Sequence, residues 1–341
     1  MRSDLLPLAA AVRPLFAGVD LGGTNIKSAL VDDLGRLVAF RTEPTHVARG
    51  PEDAAARMGA SVAALAAVRP TSAADVARVG LGSPGPLDIP AGTIVRAGNL
   101  RGWDGFPLRD RVSAHCSRPV TFANDANAAA YGEFWVGSAR GLGSIVMLTL
   151  GTGVGGGIII GDVNVEGEHS HGSECGHMLV DPAPDARDCP CGQRGHLEAY
   201  ASATSLGARA RERHAAGATG PLAAAVAAGE TLSTVLLGRL AAAGDETSRG
   251  VLLEAARWLG ICVVSLLHAV DPAVVVIGGA MTFGGEADPA GKLFIERIRA
   301  EVRGRAFPLL AERTPIRYAT LGGDAGSIGA AGLARLDHRR G

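Results

Sequence analysis

Short apolar runs and glycine-rich breaks alternate along this chain in a pattern that predicts mixed α/β structure. Leu15 to Val19 is apolar and leads into Asp20-Leu21-Gly22-Gly23-Thr24-Asn25. Apolar Ile26, Ala29, Leu30 and Val31 follow, then the turn Asp32 to Gly35. Apolar runs of strand length bounded by turn residues read as strands, so this stretch is strand, glycine turn, strand. Pro51 to Val68 is Ala-rich with helical apolar spacing and opens on Pro, Glu and Asp, where a helix dipole favours them. Val79 to Leu81 and Pro119 to Ala123 read as strands, Gly82 to Pro86 and Asn99 to Trp103 as loops, Pro107 to Cys116 as a short helix, and Ala126 to Val136 as another helix.

The second half repeats the opening unit. Ser144 to Leu150 feeds Gly151-Thr152-Gly153-Val154-Gly155-Gly156-Gly157, and Ile158, Ile159 and Ile160 follow. By letter Gly151, Gly153 and Gly156 match a dinucleotide fingerprint. That loop must open a helix, however, and three consecutive β-branched residues predict a strand instead. Two glycine hairpins about 130 residues apart suggest a duplicated architecture with a nucleotide between the halves. Glu198 to Arg213, Leu232 to Ala243 and Glu246 to Val270 read as helices, the last closed by Asp271-Pro272. Val274 to Ile277 is a buried strand emptying into Gly278-Gly279, and Ile316 to Leu321 and Ala325 to Arg339 are a last strand and helix around Gly322-Gly323-Asp324.

A length of 341 residues favours two domains over one core. With 33 basic against 34 acidic residues and no basic block, nucleic acid is not expected as a partner. The start, MRSDLLPLAAAVRPLF, is too short an apolar run, broken by Pro7, for a signal peptide. No stretch approaches the ~20 uninterrupted apolar residues of a membrane span, so a cytoplasmic protein without membrane attachment is expected.

The chemistry concentrates between Gly172 and Glu198. His177, Cys189, Cys191 and His196 supply two imidazoles and two thiolates, enough for a closed tetrahedral zinc site of the structural kind. Such close Cys pairs in a reducing compartment point to metal rather than to disulfides. The intervening DPAPDARD cannot bury an apolar face, and a metal would tie its ends. Cys116, Cys175 and Cys262 read as small core residues. Glu174 and Glu198 flank the metal ligands, and rigid carboxylates suit polyol hydroxyls. Gly22, Gly23 and Thr24 lack the pattern of a P-loop, but adjacent glycines let backbone N–H groups approach phosphate oxygens, and Asp20 could hold Mg²⁺ through water. Asp125 follows Asn124 at a strand end that opens onto a helix, which suits either a functional carboxylate or a plain helix cap. Gly278-Gly279 reads equally as a phosphate or adenosine contact and as a strand-to-helix turn.

With these residues placed, the chain resembles the ROK family of bacterial sugar kinases and repressors. DLGGTN at 20–25, NDANAAAYGE at 124–133, LGTGVGGG at 150–157, ECGH at 174–177, CPCGQRGHLE at 189–198 and VVVIGG at 274–279 match family motifs in order along nearly the whole chain. The resemblance implies a two-domain α/β fold of the actin-like ATPase (ribonuclease H-like) type, with duplicated hairpin-containing domains and an inter-domain cleft. One domain would span 1–123, completed by the helix 324–341, and the other 124–323. It also implies an ATP-dependent hexose kinase acting on the 6-hydroxyl of glucose, with Mg²⁺ accompanying ATP and a homodimeric or homotetrameric assembly. Asp125 would be the base, and Asn124, Glu174, His177 and Glu198 would grip the sugar. Gly22, Gly23, Thr24, Gly151, Thr152 and Gly153 would cradle phosphates, with Gly278 and Gly279 on the adenosine side. The family's metal group commonly has one His and three Cys; His196 stands where the third Cys would be, and imidazole is an acceptable zinc ligand. N-acetylmannosamine kinases and fructokinases share these motifs, polyphosphate could replace ATP, and a non-catalytic sugar sensor could use the same pocket. The family's repressors carry a helix-turn-helix ahead of the first hairpin, and the 14 residues before Leu15 are too few for one.

Overall fold

The computed structural model describes residues 5–67, 76–96 and 98–341. β1 (Leu15–Leu21) and β2 (Asn25–Val31) form the expected hairpin, paired from Phe16–Val31 to Leu21–Ile26. β3 (Leu37–Pro44), which the sequence reading missed, adds antiparallel to β2. α1 (Pro51–Ala67) ends at the last described residue of the helix expected over 51–68. β4 (Val76–Ser83) lies parallel to β1, the ribbon β5 (Leu87–Asp88) and β6 (Thr93–Ile94) follows, and α2 (Leu108–Cys116) returns the chain to β7 (Val120–Asn124), parallel to β4. The first sheet therefore runs β3-β2-β1-β4-β7, and α3 (Asp125–Trp135) leaves its last strand.

β8 (Ser144–Leu150), β9 (Val154–Ile160) and β10 (Val163–Asn164) begin a second sheet. Next come α4 (Glu198–Ala201), α5 (Ala203–Ala215), α6 (Pro221–Ala227), α7 (Thr234–Ala242) and α8 (Glu246–Val270). β11 (Val275–Gly279), α9 (Pro289–Arg305), α10 (Pro308–Arg313), β12 (Ile316–Tyr318) and α11 (Ala325–Arg340) complete the chain. The order β10-β9-β8-β11-β12 repeats the first sheet's plan of antiparallel hairpin strands followed by parallel ones. The duplication read from the two glycine turns is thus present in the strand order. The single helix expected over 198–213 is broken at Ser202, whose extended backbone (ψ 160°) and hydroxyl, accepting from Ser205 N–H at 3.1 Å, start α5 afresh.

The chain divides into two compact units, but not at residue 123. One unit takes the chain up to Gly141 with Gly157–Ser173 and Thr320–Gly341, and the other takes Leu142–Gly156 and Glu174–Ala319. α3, with Asp125, therefore belongs to the first unit, contrary to the boundary expected from sequence. The reason is packing. A methyl group at Gly132 on α3 would sit 2.6 Å from the Ala325 carbonyl oxygen of α11, and Gly332 on α11 admits the rings of Tyr131 and Trp135. Gly157 likewise lets β9 lie on α3, against Ala126 and Ala130.

In the first unit the mixed sheet is covered on both faces. Leu15, Val19, Val79 and Leu81 pack with Met58 and Val62 of α1 and Val112 of α2. On the opposite face Phe16, Ala29 and Val31 meet Ile328, Ala331 and Ala334 of α11. In the second unit the buried residues of β8 and β11 share the interior with those of α8 and α9. α8 alone, among the described residues, is long and apolar enough to cross a membrane by length and composition, which the sequence reading overlooked. More than half of that apolar window is buried inside the protein, which accounts for its composition.

Close approach sets the first unit's tolerance to substitution. A methyl at Gly80 of β4 would lie 1.8 Å from the Ala330 carbonyl oxygen, and one at Gly18 of β1 1.8 Å from that of Ser327. Neither neighbour is a side-chain end that can swing away. Gly80→Ala is therefore expected to lower unfolding stability by about 3 kcal/mol, the upper part of the usual overpacking range, in chemical denaturation. Unchanged stability would show that α11 is not seated on β4.

Candidate active site

The first unit gathers Asp20, the first hairpin turn and Asp125. Asp20 sits at the end of β1, opposite Lys27 of β2, with its carboxylate against Gly326 in the first turn of α11; a methyl there would be 2.6 Å from it. Burial, and secondly the charge of Asp125, push the Asp20 carboxyl up to about 7, with Lys27 pulling the other way. Lys27 is itself directed to the Gly323 carbonyl at 2.7 Å. Two carboxylates so placed, with one lysine nearby, suit an added cation. Gly22 N–H donates to Asn25 C=O at 2.9 Å to close the turn, and Gly23 faces the Asn99 side chain. Thr24 is exposed at the tip. Thr45, fully buried and missed by sequence reasoning, braces both sides: its hydroxyl donates to Gly22 C=O at 2.6 Å and its N–H to Thr24 C=O at 2.8 Å.

The cap of α3 lies one residue before Asp125. Asn124 is the α3 cap, its Oδ1 accepting from the N–H groups of Ala126 and Asn127 at 2.9 and 3.3 Å. Asp125 is the first helical residue and accepts from Ala126 N–H at 2.8 Å. Negative charge is favoured at that helix end. At the other end of α3, Glu133 is fully buried and accepts from the backbone N–H of Ser138, Thr320 and Leu321 at 2.6 to 2.9 Å, tying α3 to the segment that enters α11. Sequence reasoning assigned Glu133 no role.

The second unit gathers the other hairpin turn, both glutamates and the Cys/His group. Gly151 N–H donates to Gly153 C=O at 3.0 Å, and Thr204 Oγ1 donates to Thr152 C=O at 2.8 Å. Glu198 is joined to this turn: its Oε2 accepts from Val154 N–H at 2.9 Å, and only a glycine at 153 leaves it room. It is therefore not a solvated loop charge. Glu174 stands ahead of the 3-10 turn Cys175–His177, with Oε2 3.5 Å from His177 Nδ1, and it raises the His177 pKa against the effect of burial. At the end of β11, Gly278 is buried against Met147, while Gly279 is exposed, with φ +88° and no room for a side chain beside Leu150. Gly278 thus serves packing, and Gly279 is the accessible member of the pair.

His177, Cys189, Cys191 and His196 come together, each offering a ligand atom within 4.8 Å of all the others. Cys191 Sγ lies 3.3 Å from His196 Nδ1. Tetrahedral zinc holds such atoms roughly 3.3 to 3.8 Å apart, so a small contraction closes the set. Burial holds the Cys189 thiol up at about 12, and burial followed by His177 lowers His196. Bound metal favours the deprotonated forms of both.

Asp20 gives a signed test. An acid whose pKa is higher folded than unfolded stabilises most while protonated, and that contribution is lost as pH rises from about 4 through about 7. Asp20→Asn removes the titration. Without ligands, its melting temperature is expected to gain on wild type between pH 4.5 and about 7 and to level off above that. Parallel curves would mean that Asp20 is not held in this environment.

Comparison with known proteins agrees with this arrangement. The ROK family profile matches residues 16–336. A glucokinase of Halalkalibacterium halodurans is 33% identical over 94% of each chain. The structure of a ROK hexokinase from Thermus thermophilus superposes with a TM-score of 0.77 at 35% identity, covering 96% of this chain and 100% of that one. A ROK family glucokinase from Streptomyces griseus, in complex with glucose and AMPPNP, gives 0.76 at 34% identity over 94% and 99%. With the two glycine hairpins, the Asp125 helix and the Cys/His group on one duplicated α/β frame, the chain belongs to the ROK family.

Proposed function

We propose that the protein is a cytoplasmic, ATP-dependent glucokinase that transfers a phosphoryl group to the 6-hydroxyl of glucose. The observation that carries this reading is the placement of Asp125. It opens α3 without being its cap, and its charge bears on Asp20 beside the first hairpin turn. Glucokinases are among the relatives at 31–33% identity, which favours glucose over other hexoses.

ATP with Mg²⁺ supplies the phosphoryl group and neutralises its charge. The backbone N–H groups of Gly22, Gly23, Gly151 and Gly153 would receive phosphate oxygens, helped by the hydroxyls of Thr24 and Thr152. Asp20 would hold the cation, which restores its ionised form. Asp125 orients the sugar hydroxyl and takes its proton. Asn124 contributes its amide N–H to the sugar, since its oxygen is occupied by α3. Glu198 grips sugar hydroxyls from a position fixed by Val154 N–H, and Glu174 and His177 do so together. Gly279 offers a side-chain-free surface to the adenosine.

Zinc would be held by His177, Cys189, Cys191 and His196 as a structural cross-link of the loop. Elemental analysis of protein purified without added metal is expected to give one zinc per chain. Absence of zinc, or full zinc content in the Cys189→Ala, Cys191→Ala double variant, would remove the site.

Asp125→Asn tests the catalytic role. Asn is nearly isosteric and keeps a hydrogen bond to the hydroxyl, so fold, zinc content and glucose affinity should stay near wild type. A positioned base contributes ~10² to 10⁴ in rate, and kcat should fall by that factor in a coupled ADP-release assay with glucose and ATP. Wild-type turnover in the variant would overturn the base. A wild-type protein that binds glucose without turnover would make it a sensor.

A further inference from the structure

Metal ligands are usually held by partners behind them, and here the fastening converges on one side chain. Tyr200 lies on α4, two residues after Glu198 and four after His196, and is 97% buried. Its hydroxyl donates to Asp181 Oδ2 at 2.6 Å and accepts from Arg187 N–H at 2.8 Å. Asp181 is four residues past His177, and Arg187 is two before Cys189. One oxygen atom thus joins the limb leaving the first ligand to the limb arriving at the second, from a helix that begins two residues after the fourth. The ring packs with Cys189 and Val180 and lies 4.5 Å from the Trp258 ring, and the Tyr200 carbonyl accepts from the buried Arg209.

Without this joint, the loop 178–188, rich in Pro and Asp, would rest on backbone bonds from Val180 and Asp181 N–H to Gly195 C=O, Gly195 N–H to Arg187 C=O and Leu197 N–H to Met178 C=O, and on side-chain contacts of Arg194 with Asp188 and Pro184 C=O and of Arg187 with Glu212. Those contacts fix the loop against the segment 194–197 and α5. They do not fasten the limb at Asp181 directly to the limb at Arg187. We infer that Tyr200 is a positioning residue of the metal group, its hydroxyl locking both limbs of the loop so that His177 and Cys189 stay in reach of one ion, while its helix carries Glu198. Burial first, then Asp181, push its phenol up to about 12, so it remains a donor at any assay pH.

This inference rests on the zinc reading, and the experiment separates the two. Zinc-loaded wild-type protein and Tyr200→Phe are mixed with excess colorimetric chelator, and zinc release is followed in time. Phe keeps the ring packing and removes only the hydroxyl. Release should be about tenfold faster, at the lower end of what loss of an outer partner costs a metal site. KM for glucose should rise, because Glu198 and His177 are displaced with the loop. Release at the wild-type rate overturns the lock and leaves the zinc reading standing, whereas a wild-type protein without zinc overturns both. Should Tyr200→Phe fold poorly, Asp181→Ala, which leaves the ring and hydroxyl in place and removes their acceptor, is expected to release zinc faster than wild type in the same assay. An unchanged rate there also sinks the proposal.

Discussion

The first unit depends on how closely α11 can approach its neighbours. Gly18 and Gly80 let the helix backbone descend onto β1 and β4, and a methyl at Gly329 would lie 1.7 Å from the Ala128 carbonyl of α3. Interiors are packed like crystals, so a methyl at such a position cannot be absorbed without moving an element. The same seating brings Gly326 against the Asp20 carboxylate and binds α3, with Asp125 at its head, to the same helix. A stripe of small residues therefore fixes the separation of two acids. Glu133 closes the arrangement from the other end of α3 by accepting three backbone N–H groups, where an unfilled donor would cost about 1 to 3 kcal/mol each.

The second unit solves the placement problem differently. Its glutamates and metal ligands lie on turns and at the start of a four-residue helix whose other residues, Ala199, Tyr200 and Ala201, are buried. Polar fastening supplements packing there: Val154 N–H holds Glu198, Glu174 lies beside His177, and Tyr200 spans the loop. A shared metal ion would complete that set, since the four groups offer ligand atoms within 4.8 Å of one another. Loss of metal should accordingly loosen the sugar side of the site before it unfolds the α8 and α9 core.

What the sequence disclosed follows from this division. Strands β1, β2, β8 and β9 were legible because apolar runs and glycine turns are local signals, and α8 because its pattern spans seven turns. The Cys/His group was legible because rare residue types at close spacing are informative on their own. Thr45, Glu133 and Tyr200 were not, since a threonine, a glutamate or a tyrosine is unremarkable until the fold delivers its partner. The unit boundary failed for a related reason: α3 follows β7 in sequence, but its membership is decided by glycines on α11, about 200 residues later. β3 lacks a sharp alternation at its exposed end, and α9 was passed over although Asp288-Pro289 is a recognisable start, with Asp288 accepting from Ala290 N–H.

The order Asn124-Asp125 shows how stability and chemistry share one helix end. Asp125 accepts one first-turn N–H, that of Ala126, but the cap of α3 is a different residue. With Asn124 in that role, α3 is capped by a neutral amide of about equal capping strength. The charge at 125 can then answer to chemistry. It sits where the exposed N–H groups of α3 favour an anion, while burial and that same charge drive Asp20 towards its protonated form. The two acids thereby meet unequal environments, Asp125 at a helix end and Asp20 in a buried position that favours its protonated form. Divergent environments of this kind assign roles to paired carboxylates, and they support the proposal that Asp125 accepts the proton while Asp20 serves the cation.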